Sequence, residues 1–407
     1  MAAMRISTSL LYSTNVDTMN RQQTNLLQLQ QEISLGQRVL KPSDDPVAAA
    51  SALQVTQASA LVDQQTNNQG AANDALTALD SSLSSIGDIV SYAKERAVQA
   101  GDASLNQSDR QDIATDLKAQ FDSLLGLANT TDANGQYLFS GFKGDTQAFT
   151  GSLAGGVTYQ GDQGQRTLQV TNTRTMPVSD SGQDVFMNIP NLNGKFNTQP
   201  GTANAGGAII SDGTVTGAYA NGQYGIKFTS ATAYAIYDTA ADPAMTGVPL
   251  GTGAYTDGAP INLPPSPATA QIQVSIGGTP TTGDTFQAKP GGTTSIFNIF
   301  QQFIGALQNT SGSTYQKTIT DSLGQLDNAL DNVLKLRAQV GSRQVEVTSL
   351  QSIGSDAKIQ DASQLNRLTG VDYASTISDM QQQQTALQAS QQSFVQITGK
   401  TLFDYLT

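Results

Sequence analysis

The sequence predicts a mainly α-helical protein with a β-rich insertion in its middle. Near both ends of the 407-residue chain, apolar residues repeat every seven positions, which is typical of long helices paired as a coiled coil or helical bundle. Between these ends, residues 141–292 hold 25 of the 38 glycines, 11 of the 13 prolines and no glutamate. We therefore expect two helical halves that complete each other around an inserted β domain.

The first seven-residue repeat occupies the N-terminal part of the chain. Its members are Tyr12, Met19, Leu26 and Ile33, and Leu40 extends it. A helix with so narrow an apolar stripe cannot bury that stripe alone and needs a partner helix. We predict one long helix over residues 6–40, within a terminal domain whose first segment is 1–45.

The second repeat lies in the C-terminal segment, 361–407. Its members are Tyr373, Met380, Leu387 and Phe394, and Ile377 stands four residues after the first. We predict that this helix pairs with the N-terminal one. The two stripes together are the candidate surface for terminal helix packing and polymerisation.

The first helix is predicted to stop before Pro42, because proline disfavours a helical conformation at the preceding residue. Asp44, Asp45 and Pro46 follow, and Asp45 is placed to cap a new helix whose first residue is Pro46. Helical spacing then continues to about residue 100, and again over about 108–129. We assign residues 46–140 to the first half of a helical rod domain.

The second half of the rod is predicted over residues 293–360. Its packing positions follow the alternating four-three spacing of a coiled coil and are Ile319, Leu323, Leu326, Leu330, Val333, Val340 and Val347. Arg337 and Gln344 also fall on this stripe, where polar side chains weaken packing but can set the register. Residues 361–370 are expected to link the rod to the terminal helix.

Within 141–292, apolar and polar residues alternate in short runs between glycines, which indicates strands and turns. Ile272, Val274 and Ile276 form one such run, and Tyr224, Ile226 and Phe228 form another. Residues 240–267, with six prolines, are expected to be the longest irregular loop.

Composition argues against several classes of function. The chain has no cysteine and no histidine, so sites built on these residues are excluded, and we predict no catalytic, metal or cofactor site. The net charge is −12 and no two Lys or Arg residues are adjacent, which argues against nucleic acid and membrane partners. The first eleven residues lack the apolar run of a cleaved secretory signal.

Short motifs at both ends resemble a known family. Residues 4–8 read MRIST, residues 32–46 read EISLGQRVLKPSDDP, and the end of the chain carries TALQAS and LFDYL. These motifs resemble the flagellar hook-associated protein 3 family, the hook–filament junction proteins related to flagellin. The resemblance covers about 1–145 and 283–407, and leaves most of the β insertion unmatched.

The resemblance implies a structural, non-enzymatic subunit of the bacterial flagellum. Members of this family form a ring of copies between hook-associated protein 1 and the flagellin filament. They are secreted through the flagellar export channel, and an export chaperone binds the C-terminal region.

Three other interpretations stay open from the sequence. Flagellin resembles this chain at both ends, although its corresponding loop usually lacks the prolines at 42 and 46. A secreted enzyme with its active site in the insertion would have aspartate but neither histidine nor glutamate there to work with. A glycan-binding or host-binding insertion has only its tyrosines in its favour.

Overall fold

The computed structural model describes residues 8–102, 104–132, 134–309 and 312–398. The chain forms two compact units. The first contains residues 1–67 and 350–407, so it is assembled from both ends of the sequence. The second contains residues 68–349.

Six α-helices account for the helical parts of the described chain. They are α1 (Thr8–Leu35), α2 (Pro46–Ala100), α3 (Gln107–Ala128), α4 (Ile296–Asn309), α5 (Gly312–Thr369) and α6 (Tyr373–Thr398). The long terminal helices and the mainly α architecture are therefore confirmed. The motifs at residues 4–7 and 402–406 lie outside the described residues.

Two predicted helix boundaries are wrong. The first helix ends at Leu35 rather than near residue 40, because Gly36 adopts a φ of 68°, which interrupts a right-handed helix. Residues 361–369 are not a link but the last turns of α5. That segment contains neither glycine nor proline, so nothing in it stops the helix before Gly370.

The β-rich region is confirmed, and it contains fifteen short strands among the described residues. They are β1 (Phe149–Ser152), β2 (Gly156–Tyr159), β3 (Thr167–Thr171), β4 (Arg174–Pro177), β5 (Ile189–Pro190), β6 (Phe196–Pro200), β7 (Ile209–Ile210), β8 (Thr214–Val215), β9 (Tyr224–Ser230), β10 (Ala233–Asp238), β11 (Gly251–Ala254), β12 (Pro260–Leu263), β13 (Ile272–Gly277), β14 (Thr285–Pro290) and β15 (Thr293–Thr294). The predicted irregular loop at 240–267 is wrong in part, because β11 and β12 lie inside it.

Residues 196–290 form a β-sandwich with its own core. One sheet has the order β11-β10-β9-β14-β6, and the other has the order β12-β13-β7 with β8 also paired to β13. All of these pairs are antiparallel. Alternate residues of both sheets, including Phe228, Val274 and Phe286, meet in one buried cluster.

The chain enters and leaves this sandwich at one point. The N–H of Gly291 donates to the carbonyl oxygen of Lys195 at 2.7 Å, and Phe196 pairs with Pro290. A segment whose two ends touch can be inserted into a fold without separating its flanking parts.

The preceding segment, 141–195, belongs instead with the helices. Phe149 of β1 and Phe186 of a π-helical turn (Gln183–Met187) pack on Phe297 of α4, with ring centroids 5.2 and 5.5 Å apart. Phe121 of α3 joins them at 5.9 Å from Phe297, and all four rings are fully buried. We therefore propose 196–290, rather than 141–292, as the separable insertion.

This division predicts different outcomes for two deletions. Replacing residues 196–290 by a short Gly-Ser linker should leave the remaining helices folded, because the linker bridges two hydrogen-bonded residues. Replacing residues 143–290 also removes Phe149 and Phe186 from the aromatic cluster, and each buried Phe contributes about 3–5 kcal/mol. Thermal melting followed by circular dichroism should show a cooperative transition for the first variant and a much lower or absent one for the second. Equal loss in both variants would contradict the boundary at residue 196.

Candidate functional site

The two terminal helices pack antiparallel in the first unit. The rings of Tyr12 and Phe394 are 5.0 Å apart between centroids, at the start of α1 and near the end of α6. At the other end of the pair, a Cβ atom on Gly36 would lie 3.0 Å from the hydroxyl oxygen of Tyr373. The first residue of one seven-residue repeat thus meets the last residue of the other.

The packing leaves both stripes incompletely covered. Tyr12, Tyr373 and Ile377 are exposed, Tyr12 by 53% and Tyr373 by 52%. The other stripe residues are half-buried, and these are Met19, Leu26, Ile33, Met380, Leu387 and Phe394. The structure therefore brings the nine predicted residues onto one helix pair but buries none of them fully.

The buried side chains of this pair are polar ones that the repeat did not indicate. Glu32 and Thr376 are each 8% exposed. Glu32 accepts a hydrogen bond from the side-chain amide of Gln28 at 3.1 Å. No local sequence pattern marks these two residues, because their burial depends on which face of α1 meets α6.

Other large apolar side chains of the first unit also face solvent. Those on the described parts of its helices are Leu27, Leu35, Val47, Leu53, Leu61, Ile353, Ile359 and Val395. Single exposed apolar residues are normal on protein surfaces, and only a contiguous patch of them indicates a surface that binds protein.

A short polar segment joins the ends of the terminal helix pair. Gln37 and Gly370 form an antiparallel bridge. The N–H of Arg38 donates to the carbonyl oxygen of Thr369 at 2.7 Å, and its guanidinium donates to the carbonyl oxygen of Leu368 at 3.1 Å. These bonds hold the end of α1 against the end of α5.

In the helix-restart loop, which runs from Pro42 to Pro46, both aspartates accept hydrogen bonds. The Asp44 carboxylate accepts the N–H groups of Leu40 and Lys41 at 3.1 and 2.8 Å. One Asp45 oxygen accepts the N–H of Ala48 at 3.0 Å, which caps α2, and the other pairs with Arg38 at 3.1 Å.

The two prolines frame this loop. Pro42 is exposed in the turn, and Pro46 is the first residue of α2, where its missing N–H has no bond to lose. The hydrogen bond from Ala48, and then that from Arg38, hold the pKa of Asp45 below its ordinary value.

The rod residues lie on α5 within the second unit. Ile319, Leu326, Val333, Val340 and Val347 are buried, whereas Leu323 and Leu330 are half-buried. A Cβ atom on Gly87 of α2 would lie 3.6 Å from a methyl carbon of Val333, so α2 and α5 approach closely there.

The two polar stripe positions of α5 have partners on α2. The Arg337 guanidinium lies 3.1 Å from the Asp80 carboxylate, and the Gln344 side-chain amide donates to the Thr77 hydroxyl at 3.4 Å. Buried Leu336, Ala329 and Lys317 of α5 were not among the predicted residues. They lie beside the predicted stripe, so a wider apolar face would have included the first two.

The tyrosines of the sandwich contribute to its fold. Tyr219, Tyr234 and Tyr255 pack against the buried cluster. The hydroxyl of Tyr219 donates to the carbonyl oxygen of Gly222 at 2.7 Å, and that of Tyr255 to the carbonyl oxygen of Gly278 at 2.6 Å. The feature that favoured a glycan-binding insertion is thus accounted for by packing.

Two kinds of feature are missing from the described part of the chain. It contains no group of three or more acidic side chains placed to hold a metal ion. None of its helices is long and apolar enough to cross a membrane.

Comparison with known proteins finds similarity to components of the bacterial flagellum. Residues 6–143 match the family described as the bacterial flagellin N-terminal helical region. Flagellar hook-associated protein 3 of Salmonella typhimurium is 28% identical over 406 residues, which cover 98% of this chain and 99% of that protein. The chain is similar to flagellar hook-associated protein 3 over nearly its whole length.

The solved structure of a junction protein shares the fold. The flagellar junction protein FlgL from Legionella pneumophila superposes with a TM-score of 0.67 at 29% identity. The match covers 79% of this chain and 100% of that structure. The similarity is one of whole architecture rather than of a single motif.

Flagellin resembles a smaller part of the chain. Flagellin of Listeria monocytogenes is 24% identical over 131 residues, which cover 32% of this chain and 46% of that protein. The similarity to hook-associated protein 3 therefore extends over nearly the whole chain, whereas the similarity to flagellin extends over about a third of it.

The loop around Asp45 yields a pH prediction. A lowered pKa in the folded state means that the ionised carboxylate stabilises the fold above its ordinary pKa of 3.8, and that this contribution is lost as the pH falls. Asp45→Ala should raise hydrogen exchange at the backbone amides of residues 47–50 at neutral pH. Asp45→Asn should keep the cap, lose the charge pairing with Arg38, and show less change between neutral pH and about pH 3.

Exchange measured by mass spectrometry checks this, with Asp379→Asn on the exposed side of α6 as control. Equal exchange in wild type and Asp45→Ala would show that Asp45 does not hold the start of α2.

Proposed function

We propose that this chain is the structural subunit that joins the flagellar hook to the flagellin filament. The observation that carries this proposal is the similarity to flagellar hook-associated protein 3 over 98% of the chain. That extent includes both terminal helices, the rod and the sandwich, whereas the similarity to flagellin covers 32% of the chain.

The terminal helices supply the surface for assembly in this proposal. The stripes on α1 and α6 and the exposed apolar side chains of the first unit would be buried between neighbouring copies in a ring. Hook-associated protein 1 would contact this ring on the hook side and flagellin on the filament side. The role is structural and not enzymatic, in keeping with the proteins it resembles.

The C-terminal helix has a second role in this proposal, which is to be recognised during export. The proposed route is secretion through the flagellar export channel, followed by residence at the extracellular hook–filament junction. An export chaperone would bind the C-terminal region, where α6 carries an incompletely covered apolar stripe. Such a stripe on an amphipathic helix is the kind of segment that binds in a hydrophobic groove.

Deleting the gene distinguishes a junction protein from a filament protein. Electron microscopy of the deletion strain should show hooks without filaments, and the culture medium should contain flagellin monomers. Plasmid-borne expression of this chain should restore filaments. Hooks that still carry filaments after deletion would overturn the proposed function.

The pair Leu387→Ala with Phe394→Ala tests the assembly surface. Both side chains are half-buried in the isolated subunit, so its melting temperature should fall only slightly. A fully packed Leu or Phe loses about 2–5 kcal/mol on truncation to Ala, and in the ring this loss would recur at every subunit. Purified variant added to isolated hooks should fail to support filament growth.

Leu326→Ala is the matched control, because Leu326 is fully buried in the rod. It should lower the melting temperature clearly while the folded fraction still assembles on hooks. Adding protein to isolated hooks bypasses export, so loss of chaperone binding cannot produce the same result. Normal filament growth with the double variant would show that the α6 stripe is not the packing surface.

A further inference from the structure

One charged cluster lies where the sandwich meets α5. Lys317 is 3% exposed, and its ammonium lies 2.7 Å from a carboxylate oxygen of Asp212. It also pairs with Asp321, one helical turn further along α5. We call Lys317, Asp212 and Asp321 the sandwich joint.

The joint connects two separately built parts of the second unit. Asp212 belongs to the sandwich, in the turn between β7 and β8, whereas Lys317 and Asp321 belong to α5. Among the described residues, the pair of Lys317 with Asp212 is the one ion pair between the sandwich and a helix. Ser313 adds a weak hydrogen bond to the carbonyl oxygen of Gly206 at 3.5 Å.

The covalent connection to the sandwich is narrow. It consists of the two strands of chain at Lys195 and Gly291, which are joined by one backbone hydrogen bond. Ile209 of the sandwich also lies beside Tyr315 and Ile319 of α5. Two segments with a narrow covalent connection can change their relative angle unless interactions between them hold it. The strength of the joint, as the one ion pair at this place among the described residues, therefore contributes to how firmly the sandwich is oriented on α5.

The charges in the joint do not balance when all three groups are ionised. One ammonium then faces two carboxylates, and Asp321 is mostly buried. The neighbouring segment before β6 contributes a neutral group, Asn193, whose amide donates to the Asp212 backbone carbonyl at 3.1 Å. A single proton on the carboxylate pair makes the cluster neutral and lets one carboxyl group donate to the other.

We propose that the sandwich joint is a pH-sensitive latch, which holds the sandwich firmly on α5 when Asp321 is protonated and loosens when Asp321 ionises. The latch is a property of this chain and does not depend on the proposed function.

Asp321 gains and loses its proton near neutral pH. The pKa of Asp321 is raised to about 7, because burial and the nearby Asp212 carboxylate raise it by more than the Lys317 ammonium lowers it. The folded chain thus holds this proton more tightly than the unfolded chain, whose ordinary pKa is 3.8. The contribution to stability is greatest at acidic pH and declines as the pH rises from about 4 to about 7.

Spin labels can measure the latch directly, because the chain has no cysteine of its own. Thr232→Cys places one label on an exposed turn of the sandwich, and Ala338→Cys places the other on an exposed position of α5. Pulsed electron paramagnetic resonance on the full chain gives the distance distribution between the labels. In the otherwise wild-type chain we expect it to be about twofold wider at pH about 8.5 than at pH about 5.5.

Variants separate the latch from general effects of pH. Asp321→Asn has the same shape and cannot ionise, so its distribution should stay narrow at both pH values. Lys317→Met removes the shared cation and should be wide at both. Asp331→Asn, an exposed position on the same helix, should behave as wild type.

The proposal is overturned if the wild-type width does not change with pH, if Asp321→Asn still widens at high pH, or if Asp331→Asn abolishes the change. Circular dichroism establishes that each variant is folded. If Lys317→Met does not fold, Asp321→Asn alone decides the question, because it preserves the shape of the site.

Discussion

Pairing between helices from opposite ends of the chain is the interaction on which the whole structure depends. An apolar residue at every seventh position forms a narrow stripe along a helix. The helix cannot bury this stripe by itself, so it is stable only when it packs against a second such helix. The contact of Tyr12 with Phe394, and the position of the Tyr373 hydroxyl beside Gly36, show that the C-terminal helix provides that partner for the N-terminal one. The chain must therefore return to where it began.

This requirement explains where the β structure is placed. Any segment between the paired halves has to leave and re-enter the fold at adjacent points. The bond between Lys195 and Gly291 meets that condition for the sandwich, which has its own buried core. Residues 141–195 do not form a separate body, because Phe149 and Phe186 complete a core that also contains helix residues Phe121 and Phe297.

Ion pairs lie at two interfaces within the second unit. Arg337 with Asp80 lies between α5 and α2, and Lys317 with Asp212 lies between α5 and the sandwich. An ion pair that is partly removed from water contributes little net stability, but it disfavours arrangements that would leave either charge unpaired. Apolar contacts at the terminal helices are by contrast incomplete within one chain.

The amino-acid sequence by itself determined the features that depend on short-range periodicity. The seven-residue repeats predicted the helices and their pairing, Asp45 and Pro46 marked the start of α2, and alternation at Ile272, Val274 and Ile276 marked β13. The terminal motifs indicated the family through residue identity alone. The tertiary structure decided the order of strands in the sheets, the limits of the insertion and the burial of Lys317, Glu32 and Thr376. Those features arise from contacts between residues far apart in sequence, and no local pattern records which distant surface a side chain will meet.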